Sequence, residues 1–385
     1  MTLNILLRLF VAKKIIRAAT IGWSLNLFCR GLLRELTDEG YEVVALTTPD
    51  DDLKELGERE GVRTIGVTME RHVSPFKDLI SLMKLTRVLR KEKPDMVHSM
   101  TPKAGLLCMM AAKMAGVPIR LHTFTGLVWP TATGLSRKIL MMTDRITAAC
   151  ATHIIPEGEG VKQDLQRCIT KKPMKVLGHG NVRGIDLDYW KRNNEKVNNG
   201  LLTFVFIGRI VRDKGLNELV AAFVRLNQQY KDTRLLLVGP CEDNLDPVLP
   251  DTMHLIETCD AIESVGRQED VRSFYEQGDV LVFPSYREGF PNVVIEAGAM
   301  GLPSIVTDIN GSREIIENGK NGLIVPPCDE QALYDAMRSM VEHPDERKQM
   351  AANARPIVES RYEQGFVRQC LKDYYKGIMS SGQSE

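Results

Sequence analysis

Glu288 and Glu296 stand eight positions apart in SYREGFPNVVIEAGAMGLPSIVTD, residues 285–308, on either side of a Gly-Phe-Pro-Asn turn. A carboxylate is a poor ligand for phosphate but a good two-point acceptor for sugar hydroxyls. A second stretch, FIGRIVRDKG at 206–215, carries Arg209 and Lys214, two cations suited to neutralising a departing diphosphate. Acids for hydroxyls and cations for phosphates together suit a ligand with hydroxyls on both sides of a diphosphate, the layout of a sugar nucleotide. Each residue also has a plainer role to set against this one. Glu296 can favour a helix dipole, Glu288 can sit in solvent, and Lys214 can cap nothing.

The elements that must position these groups are read from apolar patterning. DVLVFPS (279–285) reads as a buried strand, YREGF as the loop at its carboxyl end, and NVVIEAGAM as the next helix. Pro291, with its φ already helical, suits the first turn of that helix. In open parallel sheets ligands bind at the carboxyl ends of strands, and a helix N-terminus offers unpaired N–H groups to phosphate. Further continuous apolar runs lie at 15–20, 41–48, 95–100, 119–124 and 152–157, then at 202–208, 233–239, 303–308 and 322–327. Strands of this kind separated by helices predict doubly wound parallel sheets, an α/β fold present twice over. The polar stretch YWKRNNEKVNNG, 189–200, lacks periodicity and is expected to divide the domains.

Composition bounds the classes of function. A chain of 385 residues exceeds one ordinary core, which predicts two domains, and 43% hydrophobic with 26% charged residues excludes a disordered chain. The zero net charge hides an asymmetry of about +10 up to residue 192 and about −10 after it, so the first half favours anionic surfaces. Eight scattered cysteines show no CxxC pair, which predicts reduced thiols and a cytoplasmic setting. No run reaches the length of a membrane span. LNILLRLFVAKKII near the start is broken by Arg8 and followed by no small-residue cleavage site, so it reads as an amphipathic lead-in or an early start codon rather than a secretory signal.

The set GRIVRDKG, then SVGRQEDVRSFYEQGDVLVFPSYREGFPNVVIEAGAMGLPSIVTDINGSREIIENGKNGLIVPP, and the first-half string PDMVHSMTPKAGLLCMMAAKMAGVPIRLHTFTG resembles the retaining nucleotide-sugar glycosyltransferases of family 4, with the GT-B fold. The resemblance runs from about residue 14 to 380 and is nearest in flavour to bacterial capsule and exopolysaccharide transferases. It implies two Rossmann-like domains facing a cleft: an acceptor domain over 1–190, a donor domain over 200–363, and a helix over 364–385 returning to the first. It further implies that Glu288 contacts the donor sugar and Glu296 the ribose, that Arg209 and Lys214 hold the diphosphate, and that Gly289, Phe290, Pro291, Asn292 and Val293 line sugar and phosphates. His122, ending RLHTF, matches the family's first-domain histidine beside the donor sugar and is expected to project from the sheet's carboxyl edge. On its residues alone, a lone histidine near a strand end is more often structural. Gly22 in TIGWSLNLF takes the first strand-to-helix turn, where the family has a glycine-rich loop; here Trp23, Ser24 and Asn26 replace the glycines. Arg183 stands where many relatives carry Asn, and Asp186 matches as a structural residue of the linker.

Other features complete the expectation. DLD at 186–188 imitates a metal-binding DxD but lies in a turn, and no metal or other cofactor is expected. GHGNVRG has the wrong spacing for a dinucleotide fingerprint. DLISLMKLTRVLRKEKPD (78–95), apolar at 79, 82, 83, 85, 88 and 89, reads as a helix on the sheet whose Arg87, Arg90, Lys91 and Lys93 leave room for peripheral contact with the inner membrane face. Lys103 in TPKAG suits an acceptor phosphate, or equally a plain helix start. The partners expected are a nucleotide-diphosphate sugar, UDP being the family's commonest, and a glycan or lipid-linked saccharide, with no nucleic acid. The rival readings are an epimerase of the same fold and a catalytically silent sugar-nucleotide-binding subunit.

Overall fold

The computed structural model describes residues 12–70, 74–192, 200–242 and 246–381. The chain packs into two compact units, one holding residues up to Glu157, Val161–Leu177 and everything from Arg368, the other Gly158–Gly160 and Gly178–Val367. The division therefore falls a dozen residues before the polar stretch that marked it in the sequence. Much of that stretch, 193–199, and most of the N-terminal apolar run lie outside the described residues.

The first unit is built from β1 (Lys14–Ala18), α1 (Gly22–Cys29), α2 (Leu32–Asp38), β2 (Glu42–Thr47), α3 (Asp51–Glu60), β3 (Arg63–Gly66), α4 (Pro75–Glu92), β4 (Met96–Met100), α5 (Pro102–Met114), β5 (Ile119–Phe124), α6 (Gly134–Cys150), β6 (His153–Pro156) and α7 (Glu159–Cys168). Its parallel sheet runs β3-β2-β1-β4-β5-β6, the doubly wound order whose reversal lies between β1 and β4. The second unit comprises β7 (Leu202–Ile207), a single 3-10 turn at Arg212–Lys214, α8 (Leu216–Gln229), β8 (Thr233–Val238), α9 (Pro250–Thr258), β9 (Ile262–Ser264), α10 (Arg272–Gln277), β10 (Val280–Phe283), α11 (Asn292–Ala299), β11 (Ser304–Thr307), α12 (Ser312–Ile315), β12 (Gly322–Val325), α13 (Glu330–Glu342) and α14 (Pro344–Tyr362). Its sheet, β12-β11-β10-β7-β8-β9, has the same order and reverses between β7 and β10. The chain ends in α15 (Gln364–Ser381). The central strands are buried on both faces because their runs are apolar throughout: FVFI of β7 and VLVF of β10 are nearly inaccessible.

Helix α15 is tied into the first unit by charge. Arg368 and Lys372 pair with Glu35 at 2.6 and 3.1 Å. Deeper in, Arg17 of β1 is 1% exposed and donates to Tyr375 Oη at 2.6 Å, to Cys29 Sγ at 3.1 Å and to His98 Nδ1. Burial first, and the Arg17 cation second, push the His98 imidazole well below its ordinary pKa. A neutral His98 can therefore accept from Arg17 on Nδ1 while Nε2 meets Thr123 Oγ1 at 2.7 Å. Leaving a buried cation short of a partner is costly, so Tyr375→Phe is expected to destabilise the protein by about 2 kcal/mol, seen as a lower urea midpoint. An unchanged midpoint would show that α15 contributes packing alone.

Helix α4 departs from the sequence expectation. It buries Leu82, Leu85 and Leu89, but Leu79 and Met83 are exposed, as are Phe76 at 87% and Ile80. The apolar residues of α4 outnumber those its core face can bury, leaving a second stripe at 76, 79, 80 and 83 in the i, i+3, i+4, i+7 pattern.

Candidate active site

In the second unit the expected residues gather at the carboxyl ends of β7 and β10, where the strand order reverses. Arg209 follows β7 and Lys214 closes the 3-10 turn, while Glu288 lies on the loop after β10. Gly215 makes this turn possible: its φ is +73° and a Cβ would lie 2.2 Å from the carbonyl oxygen of Pro284. Lys214 Nζ pairs with Glu288 Oε1 and sits 5.3 Å from the centre of the Phe283 ring. Ser285 Oγ donates to the same Glu288 oxygen at 2.8 Å. Arg209 is more exposed and pairs with Glu242 at 2.8 Å. Both cations thus rest on carboxylates that a more strongly charged anion can displace.

The turn into α11 is a cradle of unpaired donors. The helix opens at Asn292, where NVVIEAGAM was expected to begin, and Pro291, with ψ of 105°, is its N-cap rather than a member of its first turn. The N–H groups of Gly289, Phe290, Asn292 and Val293 make no hydrogen bond to protein among the described residues; Val294 is the next to bond, to Pro291 O at 3.1 Å. Phe290 is buried against the Tyr362 ring, 5.6 Å between centres, which anchors the turn. Unpaired amides at a helix start with the positive dipole end behind them form an anion site.

Glu296 is buried rather than open to the loop. Its Oε1 receives Arg183 at 3.2 Å and its Oε2 the Tyr275 hydroxyl at 3.2 Å. Burial raises its pKa, and Arg183 and Tyr275 work against that rise. One lone pair on each oxygen remains for a ligand. The stretch GHGNVRG, a decoy as a dinucleotide motif, supports this group. Asn181 adopts φ of 56°, accepts the N–H of Arg183 and Gly184 at 3.0 and 2.6 Å, and donates to Asn292 at 3.0 Å. The departure at Arg183 therefore supplies the partner of Glu296, which reading the sequence missed. Asp186 Oδ1 accepts the N–H of Asp188 and Tyr189, both at 3.0 Å, as a turn-former does.

The first unit corrects three placements. Gly22 begins α1, but its N–H is taken by Asp50 Oδ2 at 2.9 Å, and Asp50 also caps α3; this amide is not free for a phosphate. Lys103 pairs with Asp78 at 2.6 Å and is largely covered, so an acceptor phosphate would have to displace that carboxylate. His122 is the fourth residue of β5 and 2% exposed, rather than projecting from the strand's end. Its Nδ1 is 2.8 Å from Ser99 Oγ, and its ring lies so close to α5 that a Cβ on Gly105 would come within 2.4 Å. Burial pushes its pKa down to about 3 against the hydrogen bond with Ser99, so the imidazole is neutral near pH 7.

The comparisons with known proteins follow this geometry. Residues 25–176 match the model described as "Glycosyl transferase 4-like domain" and residues 190–356 that of "Glycosyl transferases group 1". The chain is 30% identical over 382 residues, 97% of its length and 99% of the relative's, to a capsular polysaccharide biosynthesis glycosyltransferase, CapM, of Staphylococcus aureus. It is 28% identical, over 70% of its length and 72% of the relative's, to a UDP-Gal:alpha-D-GlcNAc-diphosphoundecaprenol alpha-1,3-galactosyltransferase of Escherichia coli. Among solved structures, Anabaena Alr3699/HepE in complex with UDP superposes with a TM-score of 0.79 at 17% identity, covering 94% of this chain and all of that one. Two doubly wound units and full-length similarity agree: the chain belongs to the family 4 glycosyltransferases of the GT-B fold.

Proposed function

We propose that the protein transfers a hexosyl or N-acetylhexosaminyl group from a UDP-sugar to a hydroxyl of a glycan or lipid-linked saccharide during bacterial surface polysaccharide synthesis, with retained anomeric configuration. The observation that carries this reading is the four unpaired amides of 289–293 beside the Lys214–Glu288 pair. As the bond from C1 to the diphosphate oxygen breaks, negative charge grows on the β-phosphate. Lys214, Arg209 and the N-terminus of α11 stabilise it, so no metal is required for that step. Lys214 exchanges Glu288 for the diphosphate, and the freed carboxylate accepts hydroxyls of the donor sugar. Glu296, steadied by Arg183 and Tyr275, accepts from the ribose. His122 of the first unit is assigned to the same step; kept neutral, it sets no positive charge against the cationic character of the sugar. Attack from the face the diphosphate leaves, within an ion pair, gives retention with these residues and no protein nucleophile.

UDP is the nucleotide that the E. coli relative and the Anabaena structure name, and lipid-diphosphate acceptors appear in the names of two relatives. No described helix is long and apolar enough to cross a membrane. The exposed stripe of α4, with Lys77, Lys84 and Arg87 on the same helix, supports peripheral contact with an anionic bilayer where such an acceptor resides. The test incubates purified protein with UDP-, GDP- and ADP-sugars and undecaprenyl-diphosphate saccharides in anionic vesicles, with and without chelator. Transfer from a UDP-sugar, unaffected by chelator, supports the reading. Donor breakdown or isomerisation without transfer would support an epimerase instead, and nucleotide binding without turnover a silent subunit.

A further inference from the structure

The segment that carries Arg209 and Lys214 is fastened along its length by the loop between β8 and α9. Ile210 donates its N–H to Pro240 O at 2.8 Å, and Arg209 pairs with Glu242 at 2.8 Å. Beyond the turn, Leu249 donates its N–H to Asn217 Oδ1 at 3.0 Å, at the start of α8. Between these fastenings Asp246 meets the 3-10 turn at Arg212–Lys214. Its Oδ2 accepts the N–H of Asp213 at 2.8 Å, its carbonyl accepts the N–H of Arg212 at 2.9 Å, and its Oδ1 lies 3.1 Å from Arg212 Nε.

These contacts answer a need of the turn itself. A helical start leaves its first N–H groups without an internal acceptor, and the residue just before it commonly supplies a side-chain oxygen. Here that residue is Val211, which has none to offer. Asp246, 33 positions after Asp213, does the capping instead. Little else holds the turn from within. Lys214 donates to Val211 O at 3.3 Å and Gly215 to Arg212 O at 2.9 Å, and so short a run gains nothing from helical cooperativity. On its other side, Asp213 O accepts the N–H of Tyr286 at 2.9 Å, from the loop that carries Glu288. The residue before Lys214 is thus gripped by its N–H from one loop and by its C=O from another. Pro247 narrows the backbone freedom of Asp246, so the carboxylate is offered from a stiff support.

We propose that Asp246 is a positioning residue of the donor site: it fixes the start of the 3-10 turn and, through it, the place of the Lys214 ammonium. The proposal rests on the reading that Lys214 meets the second phosphate of a nucleotide. It assigns to that site a residue that acts on the backbone before Lys214 rather than on its side chain. Two other roles would behave differently. As a bare charge, Asp246 would repel a diphosphate, and its loss would tighten binding. As a prop for the fold, its loss would unfold the unit; but its ion pair with Arg212, whose side chain is 61% exposed, is of the kind that adds little stability.

The experiment is calorimetric titration of the full-length protein with UDP and with UMP in excess chelator. Wild type is compared with Asp246→Ala, Asp246→Asn, Lys214→Ala and the double variant of Asp246→Ala with Lys214→Ala, each checked for folding by circular dichroism. Asp246→Asn keeps an oxygen for the Asp213 N–H while removing the charge. Asp246→Ala is expected to lower the preference for UDP over UMP about fivefold, with UMP affinity and fold retained, and Asp246→Asn to stay within about twofold of wild type. Once Lys214 is alanine, Asp246→Ala is expected to change the preference no further, because it acts through the lysine. A preference unchanged or increased in Asp246→Ala, an equal loss in both Asp246 variants, or the same loss without Lys214 would overturn the proposal and leave the donor reading standing. An unfolded Asp246→Ala protein would overturn it too, making the residue part of the fold. A wild type that does not prefer UDP would sink the donor reading itself, and the proposal with it.

Discussion

A Lys214→Ala variant is expected to lose about 10³-fold in kcat with a UDP-sugar, because it removes the cation paired with Glu288 and leaves that carboxylate charged. Deleting one preorganised donor to a developing anion commonly costs about 10²–10³ in rate. Here Glu288, held within hydrogen-bonding distance of Lys214 and Ser285, would also lose its counter-charge and repel the diphosphate. Binding should weaken along with turnover, since the ground state carries the same phosphates. Lys214→Arg restores charge but cannot reproduce the position: a planar guanidinium is bulkier than the ammonium stacked on Phe283. It is expected to recover binding better than rate. A Lys214→Ala enzyme within tenfold of wild type would remove Lys214 from the mechanism.

A Glu288→Gln variant separates the acid's two roles. It removes the ion pair, freeing Lys214 for the diphosphate, so UDP affinity should hold or rise slightly. It also removes the carboxylate proposed to grip the donor sugar, so kcat should fall about 10²-fold through loss of orientation. Opposite effects on UDP affinity and on rate are the signature of a residue that contacts the sugar in the reaction and the lysine at rest. The double variant with Lys214→Ala should be far from additive, because the two side chains touch. Parallel loss of UDP binding and rate would mean that Glu288 only holds the loop.

The sequence made much of this visible because both sheets are parallel and buried, so ten of the twelve strands appear as short, mainly apolar runs. The two that escaped, β3 and β9, are short edge strands, RTIG and IES, that mix exposed polar residues with one or two apolar ones and so carry no such run. The strand, loop and helix around 289–293 were legible for a similar reason: they are consecutive in the chain, so their order in sequence is nearly their order in space. Arg183 was not, because its partner Glu296 is 113 positions away and only the fold joins them. Gly22 was misread because the acceptor of its N–H, Asp50, comes from another loop.

The central claim is that the turn at 289–293 and Lys214 hold a nucleotide's second phosphate, and calorimetric titration tests it most directly. Wild type and Lys214→Ala are titrated with UDP and with UMP in excess chelator. The account predicts that wild type binds UDP at least tenfold more tightly than UMP without metal, and that Lys214→Ala removes most of that difference while leaving UMP binding intact. Equal affinities for UDP and UMP in the wild type, or a preference for UDP that survives loss of Lys214, would contradict it.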